Sequence, residues 1–292
     1  MTKQTLAAVA FATLAAILWA ATLGTASLLP VGFPTVEVVA GRYIVQLVLL
    51  TVVVMPFRGT AMVRTTQPKL HILRGLTMFV MPMTFEFAVH RLGATNAFAA
   101  LWLGPLFGLA FGRFIGGEPV PRGTVLLVAI ATVGALVAHS PAALTSVSGA
   151  LAIVCAAASF GAFLAFTRAL RGESAATGLF WTAICVAIPS TMLLPFVWEP
   201  VTLRAAAALV LMGGLWLLVL LSIDEALRRA PLRFLAPFLL SEIIWARLLF
   251  RAPWTRGAIA GTIVLLVCAA WVLAELSNSE RPLAPLRASA IL

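Results

Sequence analysis

Apolar residues run through this chain in blocks about twenty residues long, separated by short clusters of charge, proline and glycine. A helix rises 1.5 Å per residue, so about 20 apolar residues are what it needs to cross the hydrocarbon of a bilayer. Bounded this way, spans are predicted near 5–28, 36–56, 70–90, 94–115, 122–139, 148–169, 175–197, 205–227, 231–250 and 255–275. Several connections are only a few residues long, so neighbouring spans should pack antiparallel as hairpins. Residues 1–29 carry Lys3, an apolar run and small residues at Gly24-Thr25-Ala26, as a cleaved leader would. The run is longer than the usual leader core and many more follow, so it reads as the first span. The segment after Glu275, with Arg281, Pro282, Pro285 and Arg287, is expected to be a mobile tail.

Composition agrees with lipid as the solvent. Of 292 residues, 62% are hydrophobic and 10% are charged, where a soluble domain carries roughly a quarter charged residues. The net charge of +10 would suit nucleic acid if it formed a solvated basic face, but the basic residues fall between apolar blocks, and no nucleic-acid partner is expected. Of the 20 Lys and Arg, fourteen lie on the side of the N-terminus under this assignment, five (Arg91, Arg204, Arg247, Arg251, Arg256) lie opposite, and Arg42 lies inside the second span. That asymmetry predicts a multi-pass protein of a bacterial-type inner (plasma) membrane with both termini cytoplasmic. Cys155, Cys185 and Cys268 all sit in apolar runs, without metal-ligand or redox spacing, and read as small buried apolar residues.

The two halves of the chain resemble one another. Pro119-Val-Pro-Arg-Gly123 matches Pro253-Trp-Thr-Arg-Gly257 at an offset of 134, and Ala88-Val-His-Arg-Leu-Gly-Ala94 matches Ala226-Leu-Arg-Arg-Ala-Pro-Leu232 at an offset of 138. A five-helix half has an odd number of crossings, so the second copy enters the membrane in the opposite sense, as in many secondary transporters. The fold class expected is an all-α integral membrane protein of ten transmembrane helices in two inverted five-helix repeats. The units would be 1–140, 141–277 and a cytoplasmic tail, 278–292.

At these same residues the chain resembles the drug/metabolite transporter superfamily, specifically its EamA-type ten-helix members. The resemblance rests on Ile17-Leu-Trp19, Gly41-Arg42-Tyr43, Arg74-Gly75, Leu103-Gly104-Pro105-Leu-Phe107 running to Gly117-Glu118, Ala226-Leu-Arg-Arg-Ala-Pro231, and Ala236-Pro237 running to Ser241-Glu242-Ile-Ile-Trp245. It implies secondary transport by alternating access, usually proton-coupled or exchange-type, through a cavity lined by helices 1, 3, 4, 6, 8 and 9. The substrate expected is a small amino-acid-like or amine-like metabolite, with export as the direction. Import of an S-adenosylmethionine-like compound and a non-enzymatic scaffold derived from a transporter are the alternatives. The second is suggested by a departure: Leu248-Leu-Phe250 passes directly to Arg251-Ala-Pro253 where members carry a Gly-Glu turn, and Arg247 takes an apolar position.

Acidic residues inside spans cost several kcal/mol near the bilayer centre and therefore tend to face a cavity or a partner. Glu86 and Asp224 are related by the offset of 138, and each precedes a basic pair, His90-Arg91 and Arg228-Arg229. At a spacing of four or five residues each acid can meet its base on one helix face, either as a structural pair or, for Glu86, as a proton carrier or counter-ion. Glu242, about eleven residues into the ninth span and so near the midplane, is the better single candidate for substrate binding and proton coupling. Trp19, Phe85, Trp102, Phe160, Phe163 and Phe238 lie on spans that the resemblance places around the cavity, where an aromatic wall suits a planar or cationic group. His71, His90 and His139 read as solvated residues at helix ends, and Gly108, Gly112 and Gly116 as a stripe for close packing within a monomer or a homodimer. No catalytic constellation, metal site or cofactor motif is visible, so no enzyme activity is expected.

Overall fold

The structure, a computed structural model, describes residues 3–30, 32–115, 117, 120–139 and 146–278. The expected Gly117-Glu118 turn, the last glycine of the stripe (Gly116), Pro119 of the repeat and the expected tail thus lie wholly or partly outside the described residues.

The apolar blocks are helices throughout. They are α1 (Lys3–Thr25), α2 (Thr35–Leu49), the short α3 (Met55–Arg58), α4 (Pro68–Leu92), α5 (Ala94–Leu101), α6 (Gly104–Ile115), α7 (Arg122–His139), α8 (Val147–Ala169), α9 (Ala175–Leu193), α10 (Leu203–Arg229), α11 (Leu232–Leu239), α12 (Glu242–Phe250) and α13 (Arg256–Asn278). Their starts carry the expected chemistry. The Ser146, Ser174, Thr202 and Thr255 hydroxyls accept from the amides of Gly149, Thr177, Ala205 and Ala258, satisfying donors that the first turn leaves open. Helix α4 ends at Gly93, whose φ of 81° lets the chain turn at once into α5.

Two predicted spans are not continuous. The fourth breaks at Trp102-Leu103, between α5 and α6, and the ninth breaks at Leu240-Ser241, between α11 and α12. Pro105 lacks an amide and crowds the carbonyl four residues back, which opens the first break. At the second, Ser241 donates to the Phe238 carbonyl at 2.5 Å, a bond that draws a carbonyl away from the helical ladder. Nine helices among the described residues are long and apolar enough to cross a membrane by themselves; the ninth predicted span, α11 with α12, is left out of that count because it carries three charged residues, Arg233, Glu242 and Arg247. The two breaks are 138 residues apart, the same offset that relates Ala88–Ala94 to Ala226–Leu232.

The helices pack in pairs that exchange with one another when the two halves are swapped. Helix α1 lies on α10 as α4 lies on α8; α12 lies on α1 as α6 lies on α8; α2 lies on α10 as α4 lies on α9. The pairs α2 with α9 and α7 with α13 map onto themselves. In lipid, helices associate through close packing more than through burial from water, so small residues sit at the contacts. Gly104 and Gly161 bring α6 against α8, and Gly134 and Gly261 bring α7 against α13. Val52, Leu126, Val133, Ile263, Leu266 and Trp271 point outward instead, as a lipid-facing surface requires. Cys155 is exposed on this surface rather than buried, and only Cys268 is fully enclosed.

Candidate functional site

A cavity of about 470 Å³ opens between α1, α2, α4, α5 and α10, on the side of the 26–34 connection. Its walls include Trp19, Arg42, Phe85, Glu86, Phe98 and Trp216. Trp19 organises the aromatic base, with its ring centroid 5.1 Å from Trp216, 5.2 Å from Phe160 and 5.5 Å from Trp102. Of these, Trp19 and Trp216 face the cavity, while Trp102 and Phe160 are packed behind them and fully covered. Such offset and edge-on contacts fix the rings and make the base rigid.

Glu86 lies on the rim. Its Oε1 is 3.4 Å from His90 Nε2 along one helix face, as expected, and both side chains are open to water, at 37% and 74% exposure. An exposed pair of this kind contributes little to stability. Arg91 turns away and lies over the Phe87 ring.

Asp224 does not pair with Arg228 or Arg229, in contrast to the sequence expectation. It accepts from Arg74 of α4 at 2.7 Å, and both side chains are almost fully enclosed. Gly178 makes the pair possible, since a Cβ there would fall 2.1 Å from Arg74 Nη1. Arg74 also lies 5.0 Å over the ring of Phe163, which therefore belongs to this ion pair and not to the cavity wall. Arg228 instead donates to the Glu173 carbonyl and Arg229 to Glu225.

On the same face, Glu173 binds the 65–71 segment to the start of α9. It accepts from Thr65 Oγ1 at 2.7 Å, from the Thr66 amide and hydroxyl at 3.1 and 3.0 Å, and lies 2.8 Å from His71 Nε2. Burial pushes its carboxyl up, but the hydrogen bonds from Thr65, His71 and Thr66 outweigh burial and hold its pKa at about 2, so it is ionised at any physiological pH. His71 is thus fully buried against a carboxylate and is not a solvated end residue; His90 is exposed as expected, and His139 is partly buried with Nδ1 2.9 Å from the Ala135 carbonyl. Arg168 reaches across to the Leu227 carbonyl at 2.6 Å. The protein is closed here by polar contacts and open at the cavity mouth.

Glu242 is the first residue of α12, at the break in the ninth span, and is 2% exposed. The Trp102 indole lies beside it. It borders a second recess of about 380 Å³ that shares Leu23, Ala94 and Phe98 with the main cavity. Phe238 is buried in α11 and lines neither space. Arg247 donates to the carbonyls of Pro253 and Ala138, which stand at a loop and at the end of α7, where a cation is favoured by the helix dipole.

The structure therefore brings Trp19, Phe85 and Glu86 into one cavity and Glu242 to its neighbour. It adds Arg42 and Trp216, which sequence reasoning passed over. The signal for Arg42 was present, a lone guanidinium in an apolar block, since the cost of burying a charge applies to a base inside a span as it does to Glu86, Asp224 and Glu242. Among the described residues no group of three His, Cys, Asp or Glu is placed to hold a metal ion.

Comparison with known proteins places this geometry. Residues 6–139 match the EamA-like transporter family. The chain is 28% identical over 228 residues to the S-adenosylmethionine uptake transporter of Rickettsia conorii, covering 74% of this chain and 76% of that protein. It is 25% identical over 233 residues to the S-adenosylmethionine uptake transporter of Rickettsia bellii, covering 76% and 79%. A solved crystal structure superposes with a TM-score of 0.78 at 18% identity, covering 94% of this chain and 99% of that one, so the fold is shared.

Proposed function

From the match of residues 6–139 to the EamA-like transporter family, we propose that the chain is a transporter of this kind and carries a small amino-acid-like metabolite across a bacterial-type inner membrane by secondary, alternating-access transport. The observation that carries this reading is the cavity of about 470 Å³, which has one guanidinium, one carboxylate and a rigid aromatic base. The exchange-symmetric helix pairs and the matched breaks support two inverted halves, 1–140 and 141–277, that rock about this cavity. Trp19, Phe85 and Glu86 are the substrate contacts, with Trp102 and Phe160 holding the aromatic base in place. Glu242, enclosed at a helix break next to the cavity, and Glu86 at its rim are the groups proposed to couple protons to binding.

A second reading, uptake of S-adenosylmethionine or a close analogue, is favoured by the two Rickettsia proteins. The aromatic base would suit an adenine ring, and Glu86 a sulfonium or ammonium.

Purified protein in liposomes decides between them. Labelled S-adenosylmethionine and a panel of amino acids are offered with and without an inward or outward proton gradient. Accumulation of one class, lost in Glu242→Gln or made insensitive to the gradient, supports the proposal and gives its direction. Flux that is unchanged in both Glu242→Gln and Glu86→Gln removes these residues from coupling. Absence of any flux favours a scaffold.

A further inference from the structure

Two arginines of the first half lie deep inside helices, and the protein treats them differently. Arg74 has a carboxylate, Asp224, at 2.7 Å. Arg42 makes no ion pair among the described residues. Its guanidinium carbon lies 4.3 Å over the Trp216 ring, its neighbour is the Tyr43 hydroxyl, and its Nε is buried without a hydrogen-bond acceptor. The Trp216 indole in turn donates to Tyr43 at 2.9 Å, so the residues that hold Arg42 are themselves held.

A guanidinium in a low-dielectric site is costly unless an anion completes it, and a ring face offsets only part of that cost. Arg42 lines the cavity, whose other charged groups are Glu86 and His90 at the rim. The geometry points to Arg42 as the binding site for a carboxylate carried by the substrate. This rests on the transporter reading above and narrows it to substrates that bear a carboxylate. A guanidinium presents two parallel N–H donors that match a carboxylate's two oxygens. Arg42 is the single Lys or Arg on the cavity wall, so a singly charged anion fits better than a phosphate dianion. With Glu86 facing the same space, the favoured substrate is zwitterionic: carboxylate on Arg42, cationic group toward Glu86.

The test compares matched acids and decarboxylated amines on the purified protein: S-adenosylmethionine with its decarboxylated form, L-tryptophan with tryptamine, and L-lysine with cadaverine. Affinity is read by direct binding in detergent and by flux in liposomes. In the unmodified protein the acid should bind its amine partner's site roughly tenfold to a hundredfold more tightly. Arg42→Gln should erase that ratio, and Arg42→Lys should keep part of it. Because the ratio is taken within one protein, a general loss of folding cannot imitate it, and if Arg42→Gln does not fold, the ratio in the unmodified protein still decides. Amines that bind as well as acids, or a ratio that survives Arg42→Gln, would overturn the carboxylate site and leave transport intact. No binding and no flux for any pair would overturn the transporter reading itself, and this site with it.

Discussion

At the scale of single residues, what matters for a charge inside an apolar helix is which countercharge can reach it. Asp224 has Arg228 one turn away on its own helix, yet its oxygen meets Arg74, 150 residues distant in sequence. The local pair lost because Arg228 leaves the helix surface for the Glu173 carbonyl, while Arg74 is confined between α4 and α9 by Gly178 and Phe163. Removing one member of a buried pair strands the other and costs about 3–5 kcal/mol, whereas two apolar residues of similar volume are often neutral or better. Asp224→Asn should therefore lower the melting temperature of the detergent-purified protein sharply, and Arg74→Met with Asp224→Leu should recover most of the loss. Equal instability of the single and double variants would show that the pair is not what stabilises this face. The sequence marked Asp224 as unusual because acids are rare in apolar blocks, but local spacing offered the wrong partner, and only the fold brings Arg74 to it.

Helices and their contacts carry a different kind of information. The ends of most spans were legible within a few residues, since Pro68, Gly93, Arg122 and Ser174 interrupt apolar runs in ways that start or stop a helix. The breaks at 102–103 and 240–241 were not, although Gly104-Pro105 and Ser241-Glu242 stand beside them, because one or two such residues inside an apolar block are equally compatible with a continuous helix whose freed backbone groups neighbouring helices satisfy. The glycine stripe on the fourth span was likewise half legible. Gly108 packs against Leu232 and the Gly161 carbonyl, but Gly112 faces open space, because a period of four marks a helix face without saying where a partner crosses it. The packing seam depends on Gly161, where a Cβ would stand 2.6 Å from the Gly104 carbonyl and 2.7 Å from the Gly108 amide, both backbone atoms that cannot yield. Gly161→Val should separate α6 from α8 and destabilise by roughly 1–3 kcal/mol or more. Gly112→Ala should be neutral or stabilise by up to about 1 kcal/mol, because alanine is the better helix former. Thermal unfolding of the two variants side by side checks this, and a harmless Gly161→Val would mean that α6 and α8 do not meet as described.

The whole molecule is asymmetric across the membrane even though its helix pairs exchange. One face holds an open cavity bounded by the 26–34 connection and Glu86; the other is closed by Arg74 with Asp224 and by Glu173 with Thr65, Thr66 and His71. Every one of these closing contacts joins a residue before 140 to one after 141, so opening this face means parting the halves along that line. Most basic residues fall on the closed side, so the positive-inside tendency predicts that this side is cytoplasmic and that the cavity opens outward. That orientation can be measured in intact cells. In a background with Cys155, Cys185 and Cys268 replaced by alanine, Ser27→Cys should react with a membrane-impermeant maleimide added outside, and Thr60→Cys should react only after permeabilisation. Both positions are exposed, so reactivity reports sidedness and not burial. The opposite pattern would put the open cavity in the cytoplasm and the arginine-rich face outside. An outward-open resting state is the one from which uptake begins, so the same labelling, repeated with S-adenosylmethionine present, would also show whether ligand draws the halves together at the mouth.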